Sequence, residues 1–410
     1  MKKDIYIINY HGDGASIYGI GTFIKEYIHC LKNIDCRINL IEIGIVKGNK
    51  FNFSIKEEDG IRKMQIPYSF QNNLAKYSRG ICRLLRLYIN DSSNLIFHFH
   101  YLYKDYYLFD KIKTYFPHSK LILNIHFLYG SSKLSGNISL YKSIIKNQQN
   151  KSIKEKYQDV IDNYIKEKKF IEKVDAVVCL SEDTFSLVQA EYKVSKNKLH
   201  LILNGLRNNS TALSQNQKLK LRQQYFINPD EKILLFVGRV DLNKGIYSLI
   251  ACFDKVLKEY PECRLVIIGD GDISGAIKKC KNVWSRIIFT GRLDQKSLYK
   301  WYQISDIALF LSFHEECSYV GIEMMMHGLP VIASDGLGVK NMFHEGVNAK
   351  IAKIANLQKL SGFENNLSEV ILDALHDDMS ELKNEAIKIY ESTYKINIMQ
   401  KKYKQLIDSL

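Results

Sequence analysis

Two cations and two carboxylates in the second half of the chain are spaced for work on a phosphate and a sugar. In FVGRVDLNKG, Arg239 and Lys244 stand just past an apolar run, five residues apart and flanked by Gly238 and Gly245. Arginine grips phosphate oxygens through parallel N–H groups, lysine adds a compact point charge, and glycine lets a backbone come close, so the group suits a diphosphate. Alone, the pair would read as solvated loop cations. Further on, LSFHEECSYVGIEMMMHGLPVIAS puts Glu315 at the end of a strand and Glu323 in a following helix that Gly328 and Pro330 close, with seven residues between the two carboxylates. Carboxylates so placed accept hydrogen bonds from ribose and sugar hydroxyls. Asp270-Gly271-Asp272 spells an acidic pair of the kind that holds a divalent cation with a nucleotide, but it falls in a strand-to-helix turn, and no metal is expected. In the first half, HGDGASIYGIGTFIKEYIHCL carries Gly12, Gly14, Gly19 and Gly21 ahead of a helix; the spacing is not GxGxxG, so a dinucleotide site has little support.

Such side chains need a scaffold that delivers them to one edge. Short apolar runs (DIYIINY, RINLIEIG, NLIFHFH, KLILNIHF, AVVCLS, LHLILN) alternate with helical patterns, and the rhythm restarts with KILLFVGRV, RLVIIGDGD, RIIFTG, IALFLS and PVIAS. Strand-then-helix alternation builds parallel sheets, and open sheets of this kind bind ligands beyond the carboxyl ends of their strands. NNSTALSQNQKLKLRQQYFINPD, polar at its start, separates the two series. The expectation is an α/β protein of two doubly wound, Rossmann-like parallel-sheet domains, residues 1–207 and 230–388, with a linker at 208–229 and a C-terminal helix at 389–410 crossing back to the first domain.

Composition bounds the class. The 410 residues are 46% hydrophobic and 25% charged, which fits a folded chain of two or three domains and excludes a disordered or membrane-embedded one. No run approaches the ~20 apolar residues of a membrane span. MKKDIYIINY, broken by Asp4 and Asn9, reads as a strand and not a leader. The eight cysteines show neither CxxC pairs nor zinc-ligand spacing, which points to a reduced, cytoplasmic setting. The net charge of +14 is uneven: residues 1–207 hold 32 basic and 20 acidic side chains, and the remainder is close to neutral. Excess positive charge raises nucleic acid, anionic lipid or a phosphorylated substrate as partners, but no nucleic-acid motif accompanies it. In NNLAKYSRGICRLLRLYI, Lys76, Arg79, Arg83 and Arg86 form one helical stripe and Leu74, Ile81, Leu84, Leu85 and Tyr88 another. That pattern suits either peripheral docking on the inner face of a membrane or, the reading we favour, an ordinary helix with its apolar stripe in the core. The Lys-rich run from Lys142 to Lys173 is interleaved with acids and reads as i,i+4 pairing on an exposed helix.

In this order, VGR…KG, VIIGDG, TGR and E-x7-E followed by GLPVIAS resemble the nucleotide-sugar domain of the retaining glycosyltransferases of family 4, also called group 1, which have the GT-B architecture of two such domains facing a cleft. GIGTFIKEYI, NIHF, VVCLSE and LILNGL are similar to motifs of the family's first domain, so the likeness covers most of the chain. The resemblance implies a nucleotide-diphosphate sugar as donor substrate, UDP-sugar first, with no cofactor. It also implies a saccharide, lipid-linked or peptide acceptor and retention of configuration without metal. It assigns Arg239 and Lys244 to the diphosphate, Glu315 to the transferred sugar, Glu323 to the ribose hydroxyls and His126 to the sugar from the first domain. Gly19, Gly21, Gly238, Arg292, Ser318, Tyr319 and Val320 complete the donor site, while His98 and His100 are left as structural. A hexosyl or N-acetylhexosaminyl transferase is the expected enzyme.

There are departures. Where the family has E-G-F-G, this chain has Glu315-Glu316-Cys317-Ser318, so two glycines that allow close approach to the sugar are absent. Asn341 replaces a common glutamate and Ala349 a glycine. Glu316 is not the motif residue, because Met324 lies eight positions on. A non-catalytic partner subunit with the same fold and a nucleotide-sugar epimerase remain as alternatives; the intact Arg239, Lys244, Glu315 and Glu323 speak against the first and the E-x7-E spacing against the second.

Overall fold

The computed structural model describes residues 2–11, 19–45, 52–68, 74–100, 102 and 106–410. The chain forms two compact units, Met1–Gly205 with Ile396–Leu410, and Leu206–Lys395.

In the first unit the order is β1 (Lys3–His11), α1 (Gly19–Lys32), β2 (Cys36–Ile45), β3 (Ser54–Glu58), β4 (Ile61–Tyr68), α2 (Leu74–Arg86), β5 (Leu95–Phe99), α3 (Tyr106–Tyr115) and β6 (Lys120–Ile125). It continues with α4 (Tyr129–Lys133), α5 (Ile138–Lys146), α6 (Lys151–Lys173), β7 (Ala176–Cys179), α7 (Glu182–Glu191) and β8 (Leu199–Leu201). The sheet runs β3-β4-β2-β1-β5-β6-β7-β8. Every pairing is parallel except β3 with β4. Strands β5 and β7 are buried at every position, as expected where helices cover both faces of a parallel sheet. The β3–β4 hairpin turns on Asp59 and Gly60, both at positive φ (52° and 72°), the geometry that joins two antiparallel strands most tightly. β3 carries Lys56, Glu57 and Glu58, charges that keep an edge strand from pairing with another chain.

Helix α2 buries Ile81, Cys82 and Leu85 and exposes Lys76, Arg79, Arg83 and Arg86. Its apolar stripe therefore serves the core, while Leu87 and Tyr88 just beyond it stay exposed. All eight cysteines are buried. Among the described residues no helix is long and apolar enough to cross a membrane.

The second unit comprises α8 (Gln215–Gln224), β9 (Lys232–Val237), α9 (Ile246–Glu259), β10 (Cys263–Ile268), α10 (Ile273–Cys280), β11 (Ile287–Gly291), α11 (Gln295–Ile304) and β12 (Ile307–Phe310). After these come α12 (Tyr319–Met326), β13 (Val331–Ser334), β14 (Lys350–Ala352), α13 (Ser361–His376) and α14 (Ser380–Ile389). Its sheet, β11-β10-β9-β12-β13-β14, is parallel throughout. The stretch 208–229, expected as a linker, is instead part of this unit. Its polar residues are spent on internal bonds: Ser214 and Gln217 close a capping box on α8, and Arg222 reaches the Ile304 carbonyl (2.7 Å) and Asp306 (2.6 Å). Tyr225 stacks on Trp301 with ring centroids 4.5 Å apart.

After a π-helical turn at Tyr390–Tyr394, α15 (Ile396–Ser409) returns to the first unit. It buries Met399, Tyr403, Leu406 and Ile407, and Asn124 of β6 donates to the Tyr403 hydroxyl across 2.7 Å. Tyr403→Phe removes one partner of a fully buried polar pair, and its cost should be about 1–3 kcal/mol, read as a lower urea midpoint with an unchanged m value.

Candidate functional site

In the second unit the chain order of the strands reverses between β9 and β12, whose carboxyl ends therefore flank the crevice where open sheets bind ligands. Arg239 and Lys244 lie in the loop after β9 and Glu315 in the loop after β12. Backbone bonds clamp these loops together: the Phe313 N–H donates to Asn243 (2.8 Å), and the Glu315 N–H donates to Leu337 of the loop after β13 (2.8 Å). Two glycines permit the fit. At Gly245 (φ +70°) a Cβ would lie 2.4 Å from the Leu311 carbonyl oxygen, and at Gly338 (φ +74°) 1.9 Å from that of Glu315.

The clamp brings Lys244 Nζ onto Glu315 Oε1 as a hydrogen-bonded ion pair, with side chains 20% and 13% exposed. Arg239 is exposed and pairs with Asp241 at 3.1 Å, while the Asp241 carboxylate also accepts from the Lys244 backbone N–H (3.2 Å). Ser318 occupies the N-cap position of α12 without a side-chain capping bond, followed by buried Tyr319 and half-buried Val320. The first backbone N–H groups of α12 thus open beside the Glu315 loop, an arrangement that favours anions.

Glu323 sits in the middle of α12 on its buried side, and accepts a hydrogen bond from the Tyr302 hydroxyl at 3.0 Å. Burial pushes its carboxyl up to about 7, partly offset by the Tyr302 bond. Tyr302, which the sequence did not single out, is thereby a neighbour of the site; its only sequence signal is the helical pattern of α11. Arg292 follows β11 at the sheet edge and is exposed, two strands from β9. Gly238 is half-buried directly after β9. Asp272 caps α10, accepting from the Gly275 N–H (2.9 Å) and the Tyr247 hydroxyl (2.7 Å). Among the described residues no cluster of three or more His, Cys, Asp or Glu is arranged to hold a metal ion.

The first unit has its own switch point, between β1 and β5. Gly12 and Gly14 lie outside the described residues. Gly19 and Gly21 form the first turn of α1, and a Cβ on Gly19 would meet nothing within 4 Å, so no packing among the described residues requires glycine there. At the carboxyl ends of β5 and β6 three imidazoles gather: His98 within β5, His100 just past it and His126 just past β6. His98 Nε2 bonds Asn124 Oδ1 at 2.8 Å, and His100 Nδ1 bonds His126 Nε2 at 3.3 Å. Burial holds His98 down at about 4 and His126 at about 3, and burial with its two imidazole neighbours keeps His100 well below the usual range. The pattern H-F-H at the end of β5, with N-I-H at the end of β6, was the sequence signal for this cluster.

Residues 217–389 match the family model described as Glycosyl transferases group 1, so the second unit carries a group 1 glycosyltransferase domain. The whole chain has the GT-B fold: it overlays sucrose-phosphate synthase from Thermosynechococcus elongatus with a TM-score of 0.77 at 19% identity, covering 100% of this chain and 99% of that one. An Anabaena protein solved in complex with UDP and glucose overlays with a TM-score of 0.67 at 14% identity, covering 98% and 99%. By sequence, an uncharacterized glycosyltransferase of Methanocaldococcus jannaschii is 29% identical over 177 residues, 42% of this chain and 45% of that protein. Alpha-monoglucosyldiacylglycerol synthase of Streptococcus pneumoniae is 29% identical over 182 residues, 43% and 41% respectively. The chain spans less than half the length of these two relatives.

The histidines make stability depend on pH with a definite sign. Each stays neutral in the fold where a free histidine, at about 6.5, takes up a proton. Stability is therefore full above about 6.5 and falls as pH drops towards 4, by up to ~1.4 kcal/mol per pH unit per histidine. Glu167 of α6 and Glu323, each raised to about 7 by burial, work in the opposite sense over the same window, while His327, held down at about 4 by burial, works in the same sense as the three. In His98→Gln, the advantage of wild type over variant in urea should shrink by about 2 kcal/mol between pH 6.5 and 5; a pH-independent difference would refute the neutral-histidine assignment.

Proposed function

We propose that the chain is a glycosyltransferase that moves a sugar from a nucleotide-diphosphate sugar, a UDP-sugar first, to a saccharide, lipid-linked or peptide acceptor. Transfer proceeds with retention and without a metal. The observation that carries this reading is the Lys244–Glu315 pair at the β9/β12 switch point of a group 1 domain, with Arg239 on the same loop. The names of the two relatives and the UDP and glucose held by one structural neighbour support it.

In this reading Arg239, Lys244 and the N-terminus of α12 oppose the charge that grows on the leaving diphosphate, the main electrostatic contribution to rate. Glu315 faces the transferred sugar, Glu323 takes the ribose hydroxyls, and His126 contacts the sugar from the first unit. Gly19, Gly21, Gly238, Arg292, Ser318, Tyr319 and Val320 line the donor. The bond from the anomeric carbon to the phosphate oxygen breaks as the acceptor oxygen bonds to the same face of that carbon, and the acceptor proton passes to the departing phosphate. A lipid-linked acceptor would be met at the inner face of the membrane, with the exposed basic side of α2, Leu87 and Tyr88 as the contact surface.

Lys244→Ala and Glu315→Ala should each lower kcat/KM for UDP-sugar consumption by about 100-fold or more, the scale of losing one transition-state contact. Unchanged turnover in Glu315→Ala would sink the assignment. UDP should raise the melting temperature of the full chain in the presence of EDTA, through binding to the folded state alone; a strict magnesium requirement would remove the metal-free mechanism.

A further inference from the structure

We infer that His100 is a positioning residue that fixes His126 as its Nδ1–H tautomer, so that His126 offers its ligand a neutral N–H donor and not a base. What that ligand is rests on the function proposed above; the tautomer does not. Strands β5 and β6 are parallel neighbours, with His98 opposite Ile122 and Phe99 opposite Leu123. Because side chains alternate along a strand, His98 and His100 fall on one face, and so do Asn124 and His126. The result is two polar rungs, His98–Asn124 and His100–His126, stacked with the His98 and His100 ring centroids 4.4 Å apart.

The first rung is anchored. Asn124 Nδ2 donates to the Tyr403 hydroxyl, so its Oδ1 accepts from His98 Nε2–H. The second rung holds one proton between two ring nitrogens, and burial decides which ring donates. His100 is 1% exposed, and its Nε2 has no partner among the described residues. The Phe23 ring, 5.1 Å away between centroids, and the His98 ring offer it no lone pair in hydrogen-bond reach. If His126 were the donor, the remaining His100 proton would sit on that Nε2 as an orphaned buried N–H, the rarest kind of unsatisfied group. With His100 Nδ1–H as donor, the buried atom without a partner is only an acceptor. The second N–H of the rung then lies on His126 Nδ1, on a half-buried ring whose Nδ1 bonds no described residue. A neutral imidazole donor suits a hydroxyl or ether oxygen, the chemistry of a sugar, and fixing the tautomer through the other ring nitrogen is how histidine donors are oriented.

Nitrogen-15 NMR of the full-length wild-type protein labelled at histidine tests the assignment, with His126→Gln identifying the signals. Wild type should show His126 protonated at Nδ1 and bare at Nε2 at neutral pH; the reverse pattern, or a fast mixture of the two, overturns the inference. His100→Phe should convert His126 to a tautomer mixture and lower kcat for UDP-glucose consumption on the order of 10-fold, with the donor KM held within about 2-fold. His100→Asn, whose amide N–H can stand where Nδ1–H stood, should restore both; unchanged tautomer and kcat in His100→Phe would refute the positioning role. If the tautomer behaves as stated but His126→Gln turns over UDP-glucose like wild type, the failure belongs to the role given to His126 in transfer and not to its positioning.

Discussion

A lysine and a glutamate held against each other at the mouth of the second sheet set the terms for the loops around them. Lys244 and Glu315 are mostly withdrawn from water, so neither charge could be left uncompensated without a penalty of several kcal/mol. The two residues are 71 positions apart in sequence but follow neighbouring strands, and the β9–β12 ladder together with backbone bonds between the loops holds them in register. Phe313 is tied to Asn243 and, through Leu337, to the loop after β13. Each of those loops then crowds the next so closely that a β-carbon at Gly245 or Gly338 would enter a carbonyl oxygen. The ion pair and the glycines are one constraint seen from two sides: the charges require proximity, and proximity excludes side chains.

The two switch points use opposite electrostatics. In the second unit, charges gather at the crevice although this part of the chain is close to neutral overall. In the first, which carries nearly all of the excess positive charge, the crevice holds imidazoles that burial keeps uncharged. The surplus is elsewhere, on exposed faces such as Arg79, Arg83 and Arg86 of α2. Net charge alone would therefore mislead about either site. Its weight falls on solubility and long-range attraction, whereas the work at each site is done by a few groups whose solvation the fold controls.

This division explains what was legible in the sequence. Buried parallel strands announce themselves as apolar runs, so β1, β5, β6, β9, β10 and β12 could be read directly. Loops between such strands carry chemistry in local strings, so Arg239, Lys244 and Glu315 stood out by type and spacing. The β3–β4 hairpin did not, because SIKEE is exposed and charged, although Asp59-Gly60 is a hairpin turn signal. Nor did β14, only three residues long. Polar composition between the two series read as a linker, yet Arg222 and the cap at Ser214 bind it to the second unit, and such bonds lie outside any local pattern. The same limit hid Tyr302 beside Glu323 and the pairing of His100 with His126, since a cross-strand or cross-helix partner is a tertiary fact. Glu323 was legible as a residue but not as a buried one; an amphipathic reading of α12 fails because that helix is buried along most of its length.

The turn Glu315-Glu316-Cys317-Ser318, where glycines would let a ligand approach, is compatible with a working site for a reason the geometry supplies. Glu316 is turned away from solvent, 3.6 Å from His314 Nε2 with both side chains buried, and Cys317 is buried with it. The added side chains are therefore packed inside the protein and not presented to solvent. The close approach that glycine permits is made from the facing loop, where Gly336 and Gly338 press against the carbonyls of Ser312 and Glu315. Half-buried Ser318 ends the turn, and its hydroxyl makes no capping bond at the head of α12. A hydroxyl at the head of a helix can donate to a phosphate or accept from a sugar, a versatility that a glycine at that position would lack.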